Sequence, residues 1–194
     1  MNSNRRLILA SNSPRRKELL ANMGLTFEVL VKEVHEEFPE QLKRHEVAEF
    51  LASHKADAYK NDTREAVLIT ADTIVCLDDK VLNKPGDAAH AREMLQQLSG
   101  RSHEVITGVC VMTSDKKVVF HDKTTVYFAA LSDQEIDYYI SNYKPFDKAG
   151  AYGIQEWIGM IGIEKIEGSY FNVVGLPVQK LYSVLNNEFD VEVA

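Results

Sequence analysis

The chain has 194 residues with a formal net charge of −7; 45% of the residues are hydrophobic and 26% are charged. This composition excludes a disordered chain, and the length fits about one domain, taking roughly 150 residues per domain as a guide. The negative charge also opposes binding to a nucleic acid through a general basic surface, so any bound anion needs a local basic cluster.

The first part of the chain predicts two strands and two helices. An apolar run predicts a strand over Arg6–Ala10. Ser13 followed by Pro14 is typical of a helix start, and Gly24 is suited to end that helix. The next predicted elements are a strand at 26–31, an acidic segment containing Glu33, Glu36, Glu37 and Glu40, and a helix at about 46–59.

The middle of the chain is rich in predicted strands. β-branched residues predict a buried strand over 66–71, and Asp78-Asp79 is suited to turn a hairpin between 74–77 and 81–82. Asp87 is a helix cap, and Gly100 follows the last apolar residue of that helix. Further strands are predicted at 103–113, 118–121 and 124–129.

The last part of the chain returns to helices. Ser132 and Glu135 have the spacing of a capping box, which predicts a helix to about residue 142. Residues 157–166 are expected to form strand material interrupted by glycines, and Pro177 opens a last helix. Strands and helices mix throughout, so the predicted fold class is α/β with a mixed sheet and flanking helices.

The sequence also bears on the cellular compartment. Cys76 and Cys110 lie far apart and lack a CxxC pattern, which predicts neither a zinc site nor a disulfide. The longest apolar run, 66–77, is far shorter than the roughly 20 residues of a membrane span. The apolar stretch after Arg5 and Arg6 is too short for a signal peptide. We therefore expect a soluble, cytoplasmic protein.

The segment between the first strand and the first helix combines hydroxyl and guanidinium groups. Ser11, Ser13, Arg15 and Arg16 surround a helix N-terminus, which already carries a positive partial charge. Two arginines there oppose helix stability unless an anion binds, and these groups and the free backbone N–H groups all suit phosphate. The alternative is a solvated helix turn whose arginines point into water.

Asp72 and Thr73 lie within an apolar run, where a lone carboxylate is costly to bury. We expect Asp72 at a strand end, where it could orient a water, act as a general base or hold Mg²⁺. The alternative is a structural aspartate that caps a loop. Lys55, on a predicted helix, and Lys84, before Pro85, could each contact phosphate, although isolated lysines are more often solvated.

Two further segments carry polar groups suited to a nucleotide. Glu36 is the carboxylate we select from the acidic segment, although Glu33 and Glu37 are chemically equivalent and such a segment is usually a solvated loop. In Asp147–Gln155, two glycines allow close backbone approach, and Gln155 can both donate and accept hydrogen bonds, as reading a base edge requires. An ordinary tight connection is the alternative.

Several other catalytic signatures do not occur in the sequence. The six histidines form no HxxxH or HExxH pattern, so a zinc hydrolase is not supported. There is also no GxGxxG, Walker A or GxSxG motif. Taken together, the candidate residues supply cations, two carboxylates and a reader of a base edge. This inventory suits hydrolysis of a nucleotide bound with Mg²⁺.

Six stretches of the sequence resemble the Maf proteins, a family of nucleoside triphosphate pyrophosphatases once linked to septum formation. They are LILASNSPRRKELL at 7–20, SHKADAY at 53–59, ITADTIVCLDDKVLNKP at 69–85, LSGRSHEVITGV at 98–109, DKAGAYGIQ at 147–155 and YFNVVGLP at 170–177. The resemblance extends over nearly the whole chain and implies one Maf-like domain over residues 1–194, with two lobes around a cleft. It also implies an elongated mixed sheet related to the inosine triphosphatase fold, and a frequent homodimer.

The resemblance implies cleavage between the α- and β-phosphates of a nucleoside triphosphate, with Mg²⁺ or Mn²⁺ as the cofactor. The phosphate-binding residues it implies are Ser11, Ser13, Arg15 and Arg16. The catalytic residues it implies are Asp72 as the base, with Glu36, Lys55 and Lys84, and the implied metal ligands are Glu36 and Asp72. This sequence departs from the family at His35-Glu36, where the family often has Asp-Glu.

The resemblance also bears on the substrate. Ala71-Asp72-Thr73 and Gly153-Ile154-Gln155 are similar to the branch that acts on dTTP and UTP, whereas the 7-methyl-GTP branch usually has Ser-Asp-Gln at the first position. The base-specificity residues are then Arg15, Thr73 and Gln155. Two other functions stay open at this point: a nucleotide-sensing regulator of cell division without turnover, and a nucleic-acid-binding module, which the net charge opposes.

Overall fold

A computed structural model describes residues 5–191, which form a mixed α/β fold. Within this part of the chain the sheet has seven strands. They are β1 (Arg6–Leu9), β2 (Glu28–Val29), β3 (Ala66–Leu77), β4 (Lys80–Leu82), β5 (Ser102–Met112), β6 (Lys117–Phe128) and β7 (Ile163–Glu167). The predicted fold class, α/β with a mixed sheet and flanking helices, is confirmed.

The strand order brings the end of β1 beside the interior of β3. Across the sheet the order is β2, β1, β3, β5, β6 and β7, and β4 pairs with β3 outside this path. β1 is parallel to both neighbours, so Leu9 pairs with Val29 on one side and with Ile69 on the other. The residues that follow Leu9 in the chain are therefore level with those that follow Ile69.

Three of the helices begin where local capping signals predict them. The helices are α1 (Pro14–Asn22), α2 (His45–Asp57), α3 (Ala88–Leu98), α4 (Asp133–Tyr143), α5 (Trp157–Gly162), α6 (Tyr170–Val174) and α7 (Val178–Phe189), with a 3-10 turn at Ala149–Ala151. The Ser13 hydroxyl caps α1 and the Asp87 carboxylate caps α3, in each case by accepting a backbone N–H. Ser132 and Glu135 form the reciprocal capping box of α4.

One predicted strand is half wrong. Residues 157–166 begin as α5 and only then continue as β7. The Gly159 N–H donates to the Glu156 carbonyl at 2.9 Å, and a Cβ at position 159 would lie 1.8 Å from the Ile154 carbonyl oxygen. The chain therefore turns tightly at a glycine, which the apolar composition of this segment did not reveal.

Two other strand predictions differ in length from the structure. The strand expected at 26–31 is reduced to Glu28–Val29, whose side chains are both exposed. The two strands expected at 118–121 and 124–129 are one continuous strand, β6. Charged residues did not interrupt it, because Asp122 contacts Lys180 at 2.7 Å and Lys123 contacts Glu104 at 2.8 Å.

The chain divides into two compact units, each with its own core. Among residues 5–191, the first unit contains residues 5–72, 107–122 and 175–191. The second contains residues 73–106 and 123–174. Ile8, Leu68 and Tyr59 lie in the core of the first unit, and Leu95 and Tyr139 lie in that of the second. No helix within residues 5–191 combines the length and the apolarity needed to cross a membrane.

Candidate active site

The junction between β1 and α1 is a compact turn built on two serines. The buried Ser11 hydroxyl accepts the Ser13 N–H at 3.2 Å, and the Ser13 hydroxyl accepts the Arg16 N–H at 3.4 Å. Arg15 is half-buried in the first turn of α1. The turn therefore holds two hydroxyls and two arginines at a helix N-terminus, an arrangement that favours an anion.

Arg16 is fixed by three oxygen atoms of the first unit. Its Nε donates to the Gly175 carbonyl at 2.8 Å, and its Nη1 donates to the Ala71 carbonyl at 2.9 Å and to the Ser11 hydroxyl at 3.4 Å. Burial lowers the pKa of the Arg16 guanidinium, and the Asp72 carboxylate opposes that shift. Arg16 therefore links the turn after β1 to the segment of β3 that carries Asp72.

Lys55 brings together the two carboxylates that the sequence singled out. Its Nζ lies 2.5 Å from Asp72 Oδ1 and 2.8 Å from Glu36 Oε1. Asp72 is buried, and Lys55 is half-buried, so their mutual attraction offsets part of the cost of removing both charges from water. Lys55, Asp72 and Glu36 form one charged cluster, called the Lys55 cluster below.

The position of Lys55 follows from the close packing of α2 on the sheet. A Cβ at Gly108 of β5 would lie 2.2 Å from the Ala48 carbonyl oxygen, so only glycine allows this approach. The Thr70 hydroxyl donates to the Ala52 carbonyl at 2.7 Å, within the same unit. These two contacts fix α2 against the strands, and Lys55 lies one turn beyond Ala52 on the same helix.

Asp72 is not at a strand end, contrary to the expectation from the sequence. β3 continues without a break from Ala66 to Leu77, so Asp72 lies in its interior. The sequence suggested an end because an aspartate interrupts an apolar run. The ion pair with Lys55 explains why the strand continues through this residue.

The Lys55 cluster offers two carboxylates to a cation. Among residues 5–191, no group of three or more His, Cys, Asp or Glu side chains is arranged to hold a metal ion. Glu36 and Asp72 nevertheless both contact one ammonium group, so a positive charge is already accommodated between two carboxylates. Mg²⁺ is commonly held by one or two carboxylates together with substrate phosphates and waters, so this donor set fits that ion.

Three predicted site residues belong to the second unit. Thr73 follows Asp72 in β3 and is half-buried, and Lys84 is exposed after β4. Gln155 is exposed in a turn closed by a 3.0 Å hydrogen bond from the Glu156 N–H to the Gly153 carbonyl. The roles assigned to these three residues stay predictions.

A second group of polar residues, around a buried lysine, was not recognised from the sequence. Lys148 is buried and contacts Asp147 at 2.8 Å and Glu156 at 3.1 Å. The Tyr139 hydroxyl donates to the other oxygen of Glu156. Lys148 lies within the quoted stretch DKAGAYGIQ, and its place between Asp147 and a run of small residues is the signal that the sequence offers. We call these four residues the Lys148 cluster.

The fold is similar to that of a solved protein. The structure of the Staphylococcus aureus Ham1 protein matches with a TM-score of 0.57 and 16% identity, over 94% of this chain and 99% of that one. At this identity the likeness concerns the fold. The fold is therefore an α/β fold similar to that of the Ham1 protein, and the Lys55 cluster lies beside the interior of β3.

The sequence comparisons identify the family. The Maf-like protein family matches residues 6–188, and the chain belongs to it. A protein of Phocaeicola vulgatus named dTTP/UTP pyrophosphatase is 55% identical over 182 residues, covering 93% of this chain and 94% of its own. A protein of Cytophaga hutchinsonii with the same name is 51% identical over 186 residues, covering 96% and 85%. The resemblance on which the sequence analysis relied is confirmed.

Proposed function

We propose that this protein hydrolyses dTTP and UTP between the α- and β-phosphates, releasing the nucleoside monophosphate and pyrophosphate. The names of its relatives support this activity over more than nine-tenths of the chain. The structural observation that carries the proposal is the contact of the Lys55 ammonium group with two carboxylates, beside an arginine that is fixed at a helix N-terminus. The protein is thus a hydrolase acting on an acid anhydride.

The reaction is a single displacement by water without a covalent intermediate. The water oxygen forms a bond to the α-phosphorus while the bond from that phosphorus to the oxygen bridging to the β-phosphorus breaks. Asp72 orients the water and accepts its proton, and pyrophosphate leaves with the electron pair. Lys55, 2.5 Å from Asp72, stabilises the negative charge on this carboxylate in a buried position.

Positive groups stabilise the charge that develops on the phosphate oxygens. Phosphoryl displacement depends mainly on positioning and electrostatic stabilisation. Arg15, Arg16, Lys55 and Lys84 supply the cations. The Ser11 and Ser13 hydroxyls and the N–H groups that begin α1 supply neutral donors to the phosphates.

A divalent cation, Mg²⁺ or Mn²⁺, belongs to this proposal as the cofactor. Glu36 and Asp72 would hold it together with oxygens of the substrate phosphates. When bound, such an ion would neutralise phosphate charge and polarise the phosphoryl group whose phosphorus is attacked. The residues of this chain supply the remaining parts, which are water orientation, proton acceptance and binding of the triphosphate.

Three residues are proposed to select the base: Arg15, Thr73 and Gln155. The Gln155 carboxamide both donates and accepts, which matches the adjacent acceptor and donor on the edge of uracil or thymine. We further propose that residues 1–194 act as one Maf-like domain, that the protein forms a homodimer in the cytoplasm, and that nucleic acid is not a ligand. The net charge of −7 supports the last point.

The substrate panel is the decisive experiment. Purified protein with Mg²⁺ is incubated separately with each common nucleoside triphosphate and with 7-methyl-GTP, and pyrophosphate, orthophosphate and monophosphate are measured individually. We expect pyrophosphate with dTMP or UMP, and release about 10²- to 10⁴-fold slower from an Asp72→Asn protein prepared in parallel. Orthophosphate as the product would overturn the assigned bond, and tight binding without any product would favour a nucleotide-sensing regulator.

A further inference from the structure

The turn that presents Gln155 is attached at both ends to one hydroxyl group. The Gly153 N–H donates to the Tyr139 oxygen at 3.0 Å, and the Tyr139 O–H donates to a carboxylate oxygen of Glu156. Gly153 and Glu156 are also the first and last residues of the turn, joined by their own 3.0 Å backbone hydrogen bond. A single side chain of α4 therefore closes a ring of contacts around the turn.

Lys148 braces the same turn from within the second unit. Its ammonium group lies 3.1 Å from the Glu156 oxygen that does not accept from Tyr139, so both oxygens of this carboxylate are engaged. A Cβ at Gly153 would lie 3.0 Å from both the Glu156 carboxylate carbon and Lys148 Cε. The turn thus lies directly on the Lys148 cluster, with no space for a side chain between them.

The direction of these hydrogen bonds follows from the protonation state of the Tyr139 hydroxyl. Tyr139 is completely buried. Burial, and then the neighbouring Glu156 carboxylate, raise the pKa of Tyr139 above its ordinary value. The hydroxyl is therefore protonated at neutral pH, when it donates to Glu156 and accepts from Gly153 at the same time.

We infer that Tyr139, Glu156 and Lys148 are positioning residues for base selection by Gln155. This inference rests on the proposed function and deepens it. A glutamine carboxamide can pair with uracil in one orientation and, after a half-turn about its last bond, with cytosine, because the donor and acceptor exchange places. Selection against cytosine therefore requires the carboxamide to keep one orientation towards the base, and a shift of the Gln155 backbone would let it present either one. The three tethers hold the turn that carries this backbone.

The test removes one oxygen atom and keeps the ring. Tyr139→Phe is compared with Tyr143→Phe as the control. Tyr143 lies on the same helix, stacks on Tyr139 with ring centroids 5.1 Å apart, and is partly exposed. For Tyr139→Phe we expect KM for UTP to rise about fivefold to tenfold with kcat within about twofold, since one buried tether is lost. The ratio of kcat/KM for UTP to that for CTP should fall by a similar factor, and Tyr143→Phe should leave it unchanged.

A double-mutant cycle separates positioning from general stability. Gln155→Ala should lower the same ratio by itself, and adding Tyr139→Phe to it should lower the ratio no further. A merely structural role would instead lower the unfolding temperature of Tyr139→Phe and leave the ratio intact. An unchanged ratio in either single variant, or independent effects in the double variant, would overturn the inference.

A substitute variant and the activity of the wild-type protein keep the experiment decisive. If Tyr139→Phe does not fold, Glu156→Gln takes its place, because an amide keeps the size of the side chain and weakens its contact with Lys148; the same loss of selectivity is expected. If the wild-type protein releases no pyrophosphate from any nucleotide, the proposed function itself has failed and the inference falls with it. A wild-type enzyme whose selectivity ignores Tyr139 refutes the inference alone.

Discussion

Two lysines in this protein, Lys55 in the first unit and Lys148 in the second, each contact two carboxylates. Their side chains are 16% and 9% exposed, so both ammonium groups depend on these partners for charge compensation. The carboxylates around Lys55 come from the acidic loop and from the interior of β3. Around Lys148, one partner is the preceding residue and the other follows a short turn.

The two clusters differ in what else holds their carboxylates. Both oxygens of Glu156 contact buried groups, Lys148 and Tyr139, which ties this carboxylate to the fold. Glu36, by contrast, is 46% exposed, and the Arg16 guanidinium adds a further positive charge near Asp72. Asp147 is also exposed, at 56%, so it is Glu156 that makes the Lys148 cluster the closed one, which suits the holding of a loop. The open cluster, with its further cation, suits an anionic substrate. A buried lysine between two carboxylates is therefore not by itself a catalytic site.

The largest expected effect is on turnover and concerns the Lys55 cluster. Asp72→Asn should lower kcat by about 10²- to 10⁴-fold, the usual contribution of a general base. The matched control is Asp62→Asn, which makes the same change in another ion pair of the first unit, between Asp62 and Lys32. Pyrophosphate release is measured for both proteins at saturating UTP. Turnover of Asp72→Asn within tenfold of the wild type would remove this residue from the proposed role.

The next effect is on stability and contrasts the two lysines directly. Lys148→Met should lower the free energy of unfolding by about 3 kcal/mol, because it leaves the half-buried Glu156 carboxylate without its charge partner. Lys55→Met should lower it less, because Arg16 still stabilises the charge on Asp72. Urea unfolding of the two variants measures both quantities. Equal losses, or a larger loss for Lys55→Met, would contradict the distinction between a closed and an open cluster.

Local signals in the sequence account for much of the fold. Ser13 with Pro14, and Ser132 with Glu135, predicted the starts of α1 and α4, because capping needs only side chains a few residues apart. The start of α5 was missed. The helix forms here because Gly159 can approach the Ile154 carbonyl closely. Apolar composition alone does not distinguish such a short helix from a strand.

The candidate site was predictable in its residues more than in its geometry. The resemblance to the Maf family supplied Glu36, Lys55 and Asp72, and the structure brings these three together through one ammonium group. The Lys148 cluster could not be predicted in the same way. Its link to Tyr139 depends on burial and on packing between α4 and the following loop, which local patterns do not encode.

The pH dependence of the free energy of unfolding should reveal another buried polar pair of the second unit, one that contains no lysine. His103 is buried, its Nε2 lies 2.7 Å from the Tyr152 hydroxyl oxygen, and burial lowers the pKa of His103 from 6.5 to about 4. Between these pH values the unfolded chain takes up a proton that the folded protein does not bind. Stability is therefore complete above pH 6.5 and is lost as the pH falls towards 4.

The size of that effect follows from the pKa shift. Between pH 7 and pH 5, His103 should lower the free energy of unfolding by about 2 kcal/mol. Urea unfolding of the wild type and of His103→Gln at both pH values isolates this contribution, which the variant should lack. His90→Gln serves as the control because His90 is exposed, and it should keep the wild-type pH dependence. An identical pH dependence in His103→Gln would show that His103 is protonated equally in both states.

The smallest expected effect concerns an ion pair with good geometry but no burial. Arg6 donates to both oxygens of Glu28, at 2.7 and 2.5 Å, and joins the ends of β1 and β2. Their side chains are 55% and 58% exposed, so water and salt screen the attraction that burial preserves around Lys55 and Lys148. Glu28→Gln should therefore leave the unfolding temperature unchanged within the reproducibility of the measurement, at low salt as at high salt. A clear loss confined to low salt would mean that this exposed pair holds β2 on the sheet, and that bidentate geometry matters here more than burial.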